Sequence, residues 1–282
     1  IDMMAETLTK TVEFARQAGK QVGISLLELV LPPACRFCNQ RTCAGDFCEN
    51  CQSRLTRSER QMRLACPRCG IPRPRVLSDP RLGDRVLSAP AGDDEAGGRC
   101  VHCRDLKFGF DHVIPLWSYQ DEVCDAVVAA KYVHRAPLAD ALGRRLGRRV
   151  AEVAVAAGPD VVTFVPSHLT RQFARGGNAA EAIARAVAWQ IGCPCRPLLR
   201  MTRRVAKQAW LDEAQRRSNV RGAFSLKKSY AFLGPSQTAG RHVLVVDDVL
   251  TTGATANEIT RILRSGGAQR VTLAVVARAL RA

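Results

Sequence analysis

The residues best equipped for chemistry lie between Val243 and Thr255, read as VLVVDDVLTTGAT. Four apolar residues, Val243 to Val246, run into the paired acids Asp247 and Asp248. Thr251, Thr252, Gly253, Ala254 and Thr255 follow, and then a helical pattern over 256–264. Hydroxyls and a glycine at a helix start make an anion site, because the first N–H groups of a helix lack intrahelical acceptors and carry positive partial charge. The two carboxylates repel a phosphate. They suit sugar hydroxyls, which donate hydrogen bonds, or a metal ion that bridges to the ligand. An ordinary buried strand with a capped helix after it needs neither two acids nor three threonines at these places. The familiar nucleotide motifs GxxxxGKS/T and GxGxxG do not occur in the chain.

A second chemistry is written in cysteine. Eight of the 12 cysteines form the CxxC pairs Cys35/Cys38, Cys48/Cys51, Cys66/Cys69 and Cys100/Cys103. A CxxC turn places two thiolates on one side of a tetrahedral zinc ion, and a second turn supplies the other two. Four pairs give two structural zinc sites with no open coordination position. Sequence order groups Cys35, Cys38, Cys48 and Cys51 at the first, and Cys66, Cys69, Cys100 and Cys103 at the second; a crossed pairing is the alternative. Cys43 and His102 are read as bystanders.

The elements that must position these residues follow from hydrophobic pattern. Residues 5–30 read as an amphipathic helix ended by Leu31-Pro32-Pro33. The segment 70–99 is rich in Pro, Gly, Asp and Arg and reads as a flexible insert. From Phe108 onward, strands are expected at 112–119, 161–165, near 197–199, at 242–246 and at 270–277, the last closing the sheet. Helices are expected at 121–131, 137–157 and 179–191. Strands alternating with helices predict a parallel α/β sheet, with ligands beyond the carboxyl ends of the strands. The expected domains are a helix over 1–30, a cysteine domain over 31–107 and the α/β domain over 108–282.

Two further stretches are polar and basic. Val165-Pro166-Ser167-His168 follows a strand and leads to Arg171, Arg175, Gly176, Gly177 and Asn178. Small residues and arginines at a strand end suit a pyrophosphate; the plainer reading is a basic loop with Asn178 capping the next helix. Lys207 to Phe224 is arginine-rich and reads either as a mobile lid or as a surface helix.

The net charge is +16 in 282 residues, with 46% hydrophobic and 5% aromatic content. That is a globular composition with an excess of charge suited to polyanions such as nucleic acid or phosphate-rich ligands. No apolar run is long enough to span a bilayer. The first residues lack a basic segment, an apolar core and a small-residue cleavage site, which sets the expectation of a cytoplasmic protein.

The run from Val243 to Thr255 resembles the phosphoribosyl-pyrophosphate (PRPP) motif of type I phosphoribosyltransferases. Four features together resemble the ComF family of competence-related, phosphoribosyltransferase-like proteins: the paired CxxC knuckles, Lys131-Tyr132-x-x-Arg135, the pattern HxxRxxxRGxN from His168 to Asn178, and RRxNVRGAF from Arg216 to Phe224. The resemblance implies a type I phosphoribosyltransferase-like parallel sheet flanked by helices, preceded by a small double zinc ribbon. It implies that Asp247 and Asp248 hold the ribose 2′ and 3′ hydroxyls. Thr251, Thr252, Gly253, Ala254 and Thr255 would cradle the 5′-phosphate, and Ser167, His168, Arg171 and Lys131 would serve the pyrophosphate. It further implies Mg2+ with PRPP, two zinc ions, and a link to DNA uptake, with single-stranded DNA or an uptake helicase as partner. The chain departs from the family pattern at Gly177, Ala179 and Trp210.

Overall fold

The computed structural model describes residues 33–42, 45–73, 100–153, 158–167, 177–203, 218–227 and 237–280. The expected helix over 5–30, residues 74–99 of the insert, and His168, Arg171 and Lys207 to Arg217 lie outside them. The chain divides into two units, Ile1–Gln52 and Ser53–Ala282.

The first unit carries a knuckle built by local hydrogen bonds. The Cys35 N–H donates to the Gln40 carbonyl at 2.7 Å, and Ala34 bridges Arg41. Asn39 takes a positive φ of 63° just after the second cysteine. The second knuckle repeats this geometry. The Cys66 N–H donates to the Ile71 carbonyl at 2.8 Å, Ala65 bridges Pro72, and Gly70 takes φ 73°. Asn and Gly are the residues that enter the left-handed region most readily, which is why each follows its CxxC. Residues 70–73, expected as the start of the insert, therefore return as the second arm of a knuckle.

Helix α1 (Glu49–Met62) was not anticipated from the sequence. In the second unit follow β1 (His112–Ser118), α2 (Asp121–Ala129), α3 (Ala136–Val153), β2 (Val161–Phe164) and α4 (Ala179–Gln190). Then come β3 (Leu199–Met201), β4 (Phe224–Leu226), β5 (His242–Leu250), α5 (Ala254–Ser265) and β6 (Arg270–Arg278). The main sheet has four parallel strands in the order β1-β6-β5-β2, and β3 pairs antiparallel with β4. The strand expected to close the sheet, β6, is interior: it lies between β1 and β5, and all of it but Arg270 is buried.

Period-two alternation splits each strand between two layers. Val243 and Val245 pack with Ile259, Ile262 and Leu263 of α5 and with Phe224 of the small sheet. On the other layer α3 and α4 pack against each other and against the sheet. They approach closely because Gly143 and Gly147 face α4: a Cβ on Gly143 would lie 2.6 Å from the Ile183 carbonyl oxygen. The Arg145 side chain, 8% exposed, sits over the Trp117 ring at 5.4 Å and donates to Glu59 at 2.7 Å.

Two expected boundaries move. Strand β5 continues to Leu250, paired with β6 as far as Arg278, so the two acids stand within the strand rather than after it. Helix α5 begins at Ala254, one residue past Gly253. No helix among the described residues is long and apolar enough to cross a membrane.

Candidate anion site and cysteine metal centres

Because β2 and β5 are parallel, with Phe164 beside Val246, their carboxyl ends share one edge of the sheet. Asp247, Asp248 and Ser167 are brought to that edge. Lys131, two residues beyond α2, joins them: its Nζ lies 2.8 Å from Asp248 Oδ2, with both side chains about a quarter exposed. Asp247 Oδ1 accepts from the Asp248 N–H at 2.9 Å, and Asp248 Oδ1 from the Val249 N–H at 2.7 Å. Burial, and then the neighbouring Asp248, hold the Asp247 carboxyl well above the usual carboxylate range. Such a pair favours a ligand that brings hydroxyl donors or a cation.

Residues 251–253 turn the chain from β5 into α5. Gly253 is the N-cap with φ 84°, and the Ala254 N–H donates to Thr252 Oγ1 at 3.4 Å. A Cβ on Gly253 would meet the Phe108 ring at 3.0 Å, so only glycine fits both the backbone and the contact. The first turn of α5 then presents its N–H groups at the strand edge that carries the acids, as an anion site requires. Asn178 is the N-cap residue of α4, but its side chain does not cap the helix; its Nδ2 donates to the Val165 carbonyl at 3.4 Å and ties α4 to the end of β2.

The described part of the arginine-rich stretch, 218–224, is anchored to the core and to α5. Val220, Ala223 and Phe224 are buried, and the Gly222 N–H donates to Glu258 Oε1 of α5 at 2.8 Å.

The cysteines assemble in sequence order. Cys35, Cys38, Cys48 and Cys51 form one group and Cys66, Cys69, Cys100 and Cys103 the other, each with sulfurs within 4.8 Å. The short sulfur separations include 3.5 Å for Cys69–Cys100, 3.6 Å for Cys38–Cys48 and 3.9 Å for Cys66–Cys103. A tetrahedron with Zn–S bonds of about 2.3 Å has S···S edges of about 3.8 Å, so the donor set and spacing fit zinc. The bond from Cys69 lowers the Cys66 thiol below its ordinary value, while burial pushes the Cys103 thiol up. Four thiolates this close need a cation to coexist. No disulfide links the described cysteines. The second group lies in the unit that contains the sheet.

Sequence reasoning missed Arg278 and Phe108. Arg278 ends β6 after the apolar run 273–277, is 3% exposed, and donates to the carbonyls of Cys69, Leu250, Thr251 and Ala279. A lone arginine at the end of VTLAVVAR was the available signal.

The parallel sheet and its flanking helices are those of a phosphoribosyltransferase-type fold, and residues 177–281 match the phosphoribosyl transferase domain family. The chain is also similar to DNA utilization protein YhgH of Escherichia coli (strain K12), 27% identical over 258 residues, covering 89% of this chain and 100% of that protein. Competence protein F of Haemophilus influenzae is 32% identical over 122 residues, 43% of this chain and 51% of that protein. The resemblance to competence-related proteins read from the motifs thus holds. Among solved structures, the allosteric regulatory enzyme of purine biosynthesis is 24% identical, with a TM-score of 0.35 over 53% of this chain and 30% of its own.

Proposed function

We propose that the chain binds PRPP as a Mg-dependent phosphoribosyltransferase-type protein serving DNA uptake or utilization in the cytoplasm. One observation carries the reading: Asp247 and Asp248 stand near the end of β5, which runs on to Leu250 and through the loop 251–253 into the Gly253-capped start of α5, with Lys131 paired to Asp248. The names of the similar proteins, DNA utilization protein and Competence protein F, support the cellular role.

In this reading Asp247 and Asp248 accept the ribose 2′ and 3′ hydroxyls. The N–H groups and hydroxyls of 251–255 hold the 5′-phosphate. Lys131 and Ser167, with His168 and Arg171, face the pyrophosphate. As pyrophosphate departs, C1′ of the ribose gains positive charge, and the fixed carboxylates favour it electrostatically. Mg2+ bound with the ligand supplies neutralisation of the pyrophosphate charge. The two four-cysteine groups hold one zinc ion each, as structural sites. Equilibrium binding of PRPP with and without Mg2+ tests this: Mg-dependent binding supports it, and absence of binding at about 1 mM, a free energy near −4 kcal/mol, removes it.

A second reading is favoured by the +16 charge together with the names of the similar proteins. The chain then acts as a single-stranded-DNA-binding protein or an adaptor to an uptake helicase, with the sugar-phosphate site as a sensor. It predicts DNA affinity that falls steeply with salt, as released counterions demand. A flat salt dependence contradicts direct DNA contact.

A further inference from the structure

The second cysteine knuckle is not a separate bead on the chain. The Arg278 Nε donates to the Cys69 carbonyl at 2.6 Å, and its Nη1 donates to the Leu250 carbonyl at 3.0 Å and the Thr251 carbonyl at 2.5 Å. One buried guanidinium thereby joins a cysteine of the four-sulfur group to the first residue of the anion loop. A rigid planar fork suits that task, because its donors diverge at fixed angles. Gly70, with φ 73°, leaves room for the Arg278 stem: a Cβ there would lie 3.3 Å from Arg278 Cδ.

Two other links run in parallel. Phe108, five residues after Cys103, packs both against the four-cysteine group and against the main core, and its ring covers Gly253. Asn257 in the first turn of α5 accepts from the Gly109 N–H at 2.8 Å and donates to the Lys107 carbonyl at 3.4 Å. The knuckle is also anchored at the sheet's amino edge, where the Val113 N–H donates to the Pro67 carbonyl at 2.8 Å and Arg68 donates to the carbonyls of Phe110 and Asp111 at 2.7 Å.

We propose that Arg278 is a positioning residue through which the four-cysteine group Cys66, Cys69, Cys100 and Cys103 holds the loop 251–253, so that metal loading at the knuckle and anion binding at the loop are coupled. The metal fixes the Cys66–Cys69 turn, the turn fixes the Cys69 carbonyl, and Arg278 carries that position to Leu250 and Thr251. Loss of metal releases the turn and loosens the loop whose N–H groups must converge on an anion. By reciprocity, an anion held at the loop raises the metal affinity of this knuckle by the same factor. The anion's identity rests on the PRPP reading; the mechanical link does not.

Amide hydrogen exchange on the full chain tests the link without any ligand. Zinc content is measured beside it. In Cys103→Ser, one of the two metal ions is lost, and exchange over 251–256 rises about tenfold or more while 243–246 of β5 stays protected. Arg278→Met loosens 251–256 to a similar degree with both metal ions retained, and Arg278→Lys does so partly. Unchanged exchange at 251–256 in either Cys103→Ser or Arg278→Met overturns the proposal. So does a rise that spreads evenly through the sheet, which marks general destabilisation. Failure of PRPP to bind leaves this measurement standing, whereas PRPP binding with an unresponsive loop overturns the coupling alone.

Discussion

Asp247 keeps a carboxyl that its surroundings disfavour in the charged form: burial comes first and the Asp248 charge second. A carboxyl whose folded pKa lies above its unfolded value contributes stability at low pH, and that contribution is lost as pH rises through the raised folded value. Asp247→Asn is therefore expected to stabilise the unliganded protein at neutral pH by about 0.5–2 kcal/mol, the usual yield when a functional strain is removed. The gain should vanish below about pH 4, where the wild-type group is protonated in both states. Thermal melts of the two proteins across this range check it; equal melts at neutral pH contradict the burial argument. Lys131→Met removes a pair about a quarter exposed and should cost no more than about 1 kcal/mol of stability. Its main effect falls on anion affinity. The acids, the threonines and the eight cysteines were legible because few residue types can do their work and their spacing is short-range. Arg278 was not legible, because three of the carbonyls it holds, those of Cys69, Leu250 and Thr251, belong to residues far from it in sequence.

At the scale of elements, the loop and the helix pair each depend on a missing Cβ. Gly253→Ala puts a side chain at φ 84° and against Phe108, with an expected loss of about 1–2 kcal/mol and a weaker anion site. Denaturant unfolding with phosphate titration reads both. Gly143→Ala drives a methyl into the α4 backbone at Ile183 and is expected to cost about 1–3 kcal/mol without touching anion affinity. Glu258 shows the opposite electrostatics to Asp247. Its bond from Arg261 and the N–H of Gly222 hold the carboxyl below its ordinary value. That stability is present above the unfolded pKa and is lost as pH falls through the folded one. Glu258→Gln should cost about 1 kcal/mol at neutral pH and nothing in acid, since Arg261 is largely exposed and the solvent screens the pair. Strand and helix periods exposed most of these elements beforehand. The interior place of β6 was hidden, because order within a sheet is set by long-range pairing rather than by local pattern. The extension of β5 through the acids was hidden for a similar reason: pairing with β6 overrides the poor strand propensity of Asp.

For the molecule as a whole, one parallel sheet carries the two acids near its carboxyl edge, and a four-cysteine knuckle is tied to the loop at that edge. The +16 charge surrounds this arrangement with a field that draws phosphate-rich ligands, small or polymeric. Both metal groups need thiolates, so a chelator or a thiol oxidant should release two zinc ions per chain, and a colorimetric zinc assay checks the number. In the proposed reading the acid pair and the loop after β5 form a working sugar-phosphate site. Calorimetric titration of PRPP with Mg2+ into the wild-type protein, Asp247→Asn and Asp248→Asn, side by side, tests it most directly. Mg-dependent binding to the wild type is expected, weakened tenfold or more, about 1.4 kcal/mol, in each variant. Equal affinity in all three proteins, or no binding to the wild type, would contradict it.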